Sequence, residues 1–226
     1  MTALTENIYL LTPEFALAAV ALGVFMVDLF VPQGRKNILP WLSIIGLLAV
    51  LLISLKILWG QQESLYGGLL AIDSYSLFFK VVFLALGILI ILTSIDFVKK
   101  FLDHPGEFYG LLLFSILGMN LMAQSRELLT AYISLELLSF SLYVLVSYGL
   151  HNAKSNEASI KYIIIGAFSS AIMLYGISLI YSTLGVTQFA SISLALTDIS
   201  GNSSSLWAGV ALITVGFGFK LAIVPF

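Results

Sequence analysis

Seven long apolar stretches, separated by short polar connections, restrict what this chain can fold into. They run from about Leu10 to Val31, Ile38 to Trp59, Ser74 to Phe97, Phe108 to Ala123, Leu128 to Tyr148, Ser159 to Leu184 and Leu206 to Phe226. Hydrocarbon offers no partner to a backbone N–H or C=O. A segment crossing roughly 30 Å of it must therefore be a helix of about 20 residues that satisfies those groups internally. The expected fold class is all-α integral membrane, with seven transmembrane helices. Composition agrees, since 60% of the residues are hydrophobic and only 10% charged, against about a quarter charged in soluble domains.

The connections supply turn formers and charges where the chain leaves lipid, as in Pro32-Gln33-Gly34-Arg35-Lys36, Gln61-Gln62-Glu63-Ser64 and Asp103-His104-Pro105-Gly106-Glu107. The longest, Gly185 to Ser205, is rich in Ser, Thr and Gly with the single charge Asp198, and is expected to be a surface loop. Arg35, Lys36, Lys99, Lys100 and Lys154 follow the first, third and fifth segments, whereas the other connections offer only Arg126. The positive-inside rule then puts the former loops in the cytoplasm and the N-terminus outside. A cleaved signal peptide is not expected. The first residues lack a basic region, and the first apolar run continues through Asp28 to Phe30 without a small-residue cleavage site.

The chain contains no cysteine, which removes disulfides, thiolate metal sites and cysteine-ligated clusters. Its net charge of −2 gives no basic footprint for nucleic acid. No Gly-rich phosphate loop and no His/carboxylate cluster with metal spacing occurs, so neither a cofactor nor a metal site is expected. Redox chemistry, if coupled to this chain, belongs to other subunits.

The informative residues are charges inside the apolar stretches. A charge near the bilayer centre costs about 2.5 to 3.5 kcal/mol on insertion scales, so such residues usually face the bundle interior or water and carry function. Glu136 lies about eight residues inside the fifth stretch, roughly 12 Å deep, and Lys220 about 14 residues inside the seventh, roughly 21 Å. Tyr132 and Ser139 share a helical face with Glu136. Pro225, lacking an N–H, is expected to kink or interrupt the seventh helix just beyond Lys220. Mutual approach of a glutamate and a lysine favours both charged forms and burial the neutral ones, so a pair of variable separation is a proton switch. A static pair holding helices together is the plainer alternative.

Lys161 sits near the start of the sixth stretch, and its position alone leaves snorkelling and function open. For Lys80 the expectation is snorkelling or an interhelical contact, and for Asp28 and Lys56 anchoring at span ends. His104 and His151 read as surface loop residues. Gly166 and Ser170, four apart, form a small-residue face suited to close helix packing. Phe78, Phe79, Tyr132, Phe140 and Tyr175 read as lipid-facing or packing groups.

Several stretches together resemble a known family. They are Leu11-Thr12-Pro13-Glu14 with Asp28-Leu29-Phe30, Asp73-Ser74-Tyr75 with Phe78-Phe79-Lys80, and Glu107-Phe108-Tyr109-Gly110. Leu135-Glu136-Leu137, Glu157-Ala158-Ser159-Ile160-Lys161-Tyr162 and Phe219-Lys220-Leu221-Ala222-Ile223-Val224-Pro225-Phe226 complete the set. In order and spacing the chain resembles the antiporter-like membrane subunit N, or subunit 2, of NADH-quinone oxidoreductase, respiratory complex I, along its whole length.

The resemblance implies a roughly fourteen-helix fold in which inverted five-helix units each provide a proton half-channel. The family's fifth-helix glutamate and broken-seventh-helix lysine match Glu136 and Lys220, and its sixth-helix lysine matches Lys161. Residues 1–107 would then be three N-terminal helices and 108–226 the first, incomplete half-channel unit. The chain stops at Pro225-Phe226, inside a motif the family continues, so it reads as truncated.

The implied function is proton translocation, coupled to quinone reduction performed elsewhere in the complex, in a bacterial inner membrane or an equivalent organellar one. Quinone, flavin and iron–sulfur clusters would belong to partner subunits, and the partners would be other membrane-arm subunits and lipid, not nucleic acid. A subunit of a multisubunit cation/proton antiporter or membrane-bound hydrogenase, and a purely structural scaffold, are the alternatives.

Overall fold

The computed structural model describes residues 7–102, 104–148, 153–198 and 204–224. Eight helices follow one another among them: α1 (Thr12–Phe30), α2 (Leu39–Leu58), α3 (Ser74–Phe101), α4 (Pro105–Gln124), α5 (Leu128–Val146), α6 (Ala153–Leu184), α7 (Phe189–Asp198) and α8 (Ser204–Lys220). Six of the helical stretches are long and apolar enough to cross a membrane, and α8 is a shorter apolar helix. These six and α8 correspond to the seven expected spans.

Helix starts follow local chemistry. Pro13, Pro40 and Pro105 stand at the first or second helical position, where a missing N–H costs nothing. Asp73 and Ser76 close a reciprocal capping box on α3, and the Glu127 carboxylate caps α5 by accepting from the Thr130 amide at 2.9 Å.

The burial pattern is that of a protein solvated by lipid. Leu29, Phe30, Ile133 and Phe168 are exposed, which costs nothing against hydrocarbon. The apolar core of Leu17, Val24, Leu47, Leu84, Tyr109, Leu113 and Ile116 joins α1, α2, α3 and α4. Serines within the spans return their hydroxyls to their own helix, as Ser43 does to the Leu39 carbonyl at 3.0 Å and Ser54 to that of Val50 at 2.8 Å. Close helix approach depends on missing side chains, as expected. A Cβ on Gly118 would lie 2.7 Å from the Leu138 amide nitrogen, and one on Gly176 2.7 Å from the Gly209 carbonyl oxygen.

The connection expected as a surface loop from Gly185 to Ser205 instead contains α7. Ten residues are too few to show as a span, and Ser191 and Ser193, set between Phe189, Ile192, Leu194 and Leu196, hide the apolar periodicity. Its entry is tied to the α4–α5 turn: Leu128 N–H donates to the Thr187 carbonyl at 3.0 Å and Phe189 N–H to that of Arg126 at 3.1 Å. On the other side of that turn lies a β-hairpin, β1 (Glu63–Leu65) with β2 (Leu70–Ile72), to which Arg126 N–H donates at the Leu69 carbonyl, 2.9 Å. Sequence pattern gave no sign of it.

Beyond Lys220 the chain leaves α8 in a Schellman turn. Ala222 adopts φ 52°, its N–H donates to the Phe219 carbonyl at 2.9 Å, and Ile223 N–H reaches back to Gly218 at 2.9 Å. The helix thus ends at Lys220 itself, before Pro225, and Pro225 and His151 lie outside the described residues.

Candidate functional site

Glu136 and Lys220, 84 residues apart, meet between α5 and α8. Lys220 Nζ lies 3.3 Å from Glu136 Oε1, with side-chain exposures of 8% and 13%. The lysine occupies the last position of α8, the negative end of the helix dipole, which favours a cation. Its ammonium has three donors and three acceptors around it: Ser139 Oγ at 2.7 Å, the Tyr143 hydroxyl at 3.0 Å, and Glu136 at 3.3 Å. Glu136, Ser139 and Tyr143 fall on one face of α5 because their spacing of three and four follows the helical repeat. Glu136 Oε1 also accepts from Ser170 Oγ of α6 at 2.6 Å.

Packing fixes these groups. The Tyr143 ring meets Tyr162 of α6 edge-on at 4.7 Å, and Tyr162 lies 6.4 Å from Phe219. The Tyr143 hydroxyl fits only because residue 166 is glycine, where a Cβ would come within 2.1 Å. Ser169 Oγ donates to the Gly216 carbonyl at 3.0 Å, tying α6 to α8 one turn before the lysine. The small-residue face at Gly166 is therefore a packing face, while Ser170 also bonds the carboxylate.

Lys161 does not join this group. Its ammonium lies 2.5 Å from Glu157 Oε1, one turn back on α6, and both side chains are about two-thirds exposed, at 67% and 64%. Lys80 makes the interhelical contact anticipated for it: it pairs with Glu14 of α1, the two side chains being 1% and 7% exposed. Gln124 Nε2 of α4 donates to the same Glu14 oxygen at 2.6 Å. Glu14 entered the sequence reading only through the family resemblance. As an acid in the first turn of a helix it resembles an ordinary end group.

Asp28 anchors its helix end by pairing with Lys36 at 3.0 Å, packed against Gly106 at the start of α4. Beside it the Tyr148 hydroxyl lies 2.5 Å from Glu107 Oε2 and 3.0 Å from the His104 carbonyl. Burial, then the Glu107 carboxylate, push that hydroxyl far above its usual range, so it stays a neutral donor. At the opposite end, Arg126 pairs with Asp73 at 2.6 Å. Burial works to raise the Asp73 carboxyl, but the Ser76 amide and the Arg126 guanidinium outweigh it and hold it below the usual range. Glu127 behaves alike, burial being outweighed by the Thr130 and Thr187 hydroxyls. Among the described residues no group of His, Cys, Asp or Glu could hold a metal ion.

Residues 125–226 match the family described as NADH:quinone oxidoreductase/Mrp antiporter, TM. NADH-quinone oxidoreductase subunit N of Trichlorobacter lovleyi is 37% identical over 223 residues, covering 98% of this chain and 46% of that protein. F(420)H(2) dehydrogenase subunit N of Methanosarcina mazei is 35% identical over 228 residues, covering 98% and 46%. A chain of respiratory complex I from Thermus thermophilus with bound aureothin superposes with a TM-score of 0.73 at 28% identity, covering 95% of this chain and 45% of its own. This chain spans a little under half the length of the relatives it matches.

Proposed function

The chain belongs to the antiporter-like membrane family shared by NADH:quinone oxidoreductases and Mrp antiporters, and from that premise we propose that it is part of a proton-translocating membrane-arm subunit. In this reading quinone reduction occurs on partner subunits, which carry the flavin, iron–sulfur clusters and quinone, and Glu136 and Lys220 form a proton half-channel within residues 108–226. The N-terminus and the hairpin end face outward, because the basic connections gather at the other end.

The observation carrying the proposal is the position of Lys220 at the end of α8, held by Glu136, Ser139 and Tyr143 together. The carboxylate is the most distant of its three acceptors. Ser139 and Tyr143 can retain the ammonium, and Ser170 already holds the carboxylate, so the pair can open without stranding a bare charge in a medium of low dielectric. Opening and closing shift the proton affinity of both partners, which is what a half-channel needs.

Replacing Glu136 by Gln or Lys220 by Ala is expected to lower quinone-linked proton pumping while subunit content in membranes stays normal. Normal pumping in both variants would refute the half-channel and favour a scaffold. A second reading, a subunit of a cation/proton antiporter or membrane-bound hydrogenase, draws support from the Mrp antiporter in the family description. Mass spectrometry of the native membrane complex separates the two by the companions it identifies.

A further inference from the structure

Glu14, Lys80 and Gln124 form a second buried polar site, in the part of the bundle that the Glu136 and Lys220 reading does not use. Glu14 is 6% exposed, Lys80 1% and Gln124 0%. Glu14 Oε1 accepts from both Lys80 Nζ and Gln124 Nε2, yet Glu14 Oε2 and Gln124 Oε1 are buried with no hydrogen-bond partner. Lys80 has three donors and uses one on Glu14. The site therefore holds two unsatisfied acceptors around one ion pair, with two unused donors on Lys80 and a second N–H on Gln124. Leaving such groups unpaired costs about 1 to 3 kcal/mol each.

One small molecule meets this pattern. Water donates twice and accepts, and a buried water typically makes about three hydrogen bonds. Donation to Glu14 Oε2 and Gln124 Oε1 with acceptance from Lys80 Nζ gives both unpartnered acceptors a donor and uses a second donor of the lysine. A metal cation does not suit the place, because the ammonium already occupies it. The next residue after Gln124 is Ser125, whose carbonyl accepts from Arg126 Nη1 at 3.1 Å, and Arg126 Nη2 bonds Asp73 Oδ2 at 2.6 Å. The site thus lies within three residues of a partly exposed polar surface. One turn deeper on α4, Asn120 Oδ1 is a further buried acceptor without a partner.

We propose that Glu14, Lys80 and Gln124 bind one internal water and with it form a second proton-transfer site, separate from Glu136 and Lys220. The Lys80 ammonium gives a proton to the water, and the water passes one of its own to Glu14 Oε2. An N–H bond breaks and a carboxyl O–H bond forms, leaving a neutral amine and a carboxylic acid with no net change of charge. Burial favours that neutral pair over two desolvated ions, which makes the exchange accessible.

The test uses the assembled membrane complex. Cryo-electron microscopy at water-resolving quality is expected to show density within hydrogen-bond distance of Glu14 Oε2, Lys80 Nζ and Gln124 Oε1. Infrared difference spectra during turnover are expected to contain a carboxylic acid C=O signal that is lost in Glu14→Gln, displaced in Glu14→Asp and retained in Glu136→Gln. Gln124→Leu, which keeps both charges, should remove the water density. Absence of that density, or spectra in which no signal responds to Glu14, overturns the proposal. So does a signal lost only in Glu136→Gln, which belongs to the other pair.

Discussion

The Lys80–Glu14 and Lys220–Glu136 pairs are built in opposite ways. Lys80 is almost fully enclosed, bonds a single acceptor directly, and joins two uninterrupted helices, α1 and α3. Lys220 stands at the end of a helix that stops in a Schellman turn, and divides its donors among a carboxylate and two hydroxyls. Removing one partner strands the other in the first case and leaves substitutes in the second. Burial of a charge pair therefore does not by itself tell how a site would pass protons: the enclosed pair needs a bridging group for its unpartnered oxygens, whereas the pair at the helix end has alternative partners for its ammonium.

Removing one charge from the enclosed pair has the largest expected effect. Lys80→Met should destabilise the subunit by about 3 to 5 kcal/mol, read as lost subunit content in membranes. Replacing Glu14 by Leu in the same chain should restore much of it. Equal content in the single and double variants would contradict the assignment of a tight pair. Gly209→Val acts on the other region. A side chain there meets the Gly176 carbonyl, so α8 must move from α6 at a cost of roughly 1 to 3 kcal/mol. Pumping should fall more than content does, because the displaced helix carries Lys220.

Tyr143→Phe deletes one of the three acceptors of Lys220 and should cost about 1 kcal/mol. The expected readout is a several-fold change in pumping rate and a displaced pH profile, with normal assembly. The smallest effect is expected at Lys161. Its exposed pair with Glu157 is worth at most about 0.5 kcal/mol, so Lys161→Met should leave content unchanged. A large loss of pumping in that variant would show that Lys161 acts in an arrangement other than this one.

The spans were legible because an apolar window of membrane length has no soluble counterpart, and Glu136 and Lys220 stood out as charges inside such windows. Their partners were harder to see. Hydroxyls in spans commonly bond their own helix, as Ser134 does with Thr130 and Ser141 with Leu137, so nothing marked Ser170 as different. Tyr143 could have been found by extending the Glu136 face one further turn. Pro225, to which an interruption was ascribed, lies outside the described residues, and the end of α8 is made at Ala222, a residue with no preference for that conformation. The hairpin and α7 were hidden because three-residue strands and a ten-residue helix are too short to carry a clear pattern, and the bridges beside them, Leu70 with Ser125 and Glu127 with Gln188, join residues distant in sequence.

The Glu136–Lys220 pair is proposed to carry protons instead of merely joining helices. Protons moved per electron, measured in liposomes containing the assembled complex with Glu136→Gln, test it most directly. A ratio well below that of the unsubstituted complex, at normal subunit content, is the expected result; an unchanged ratio would contradict it.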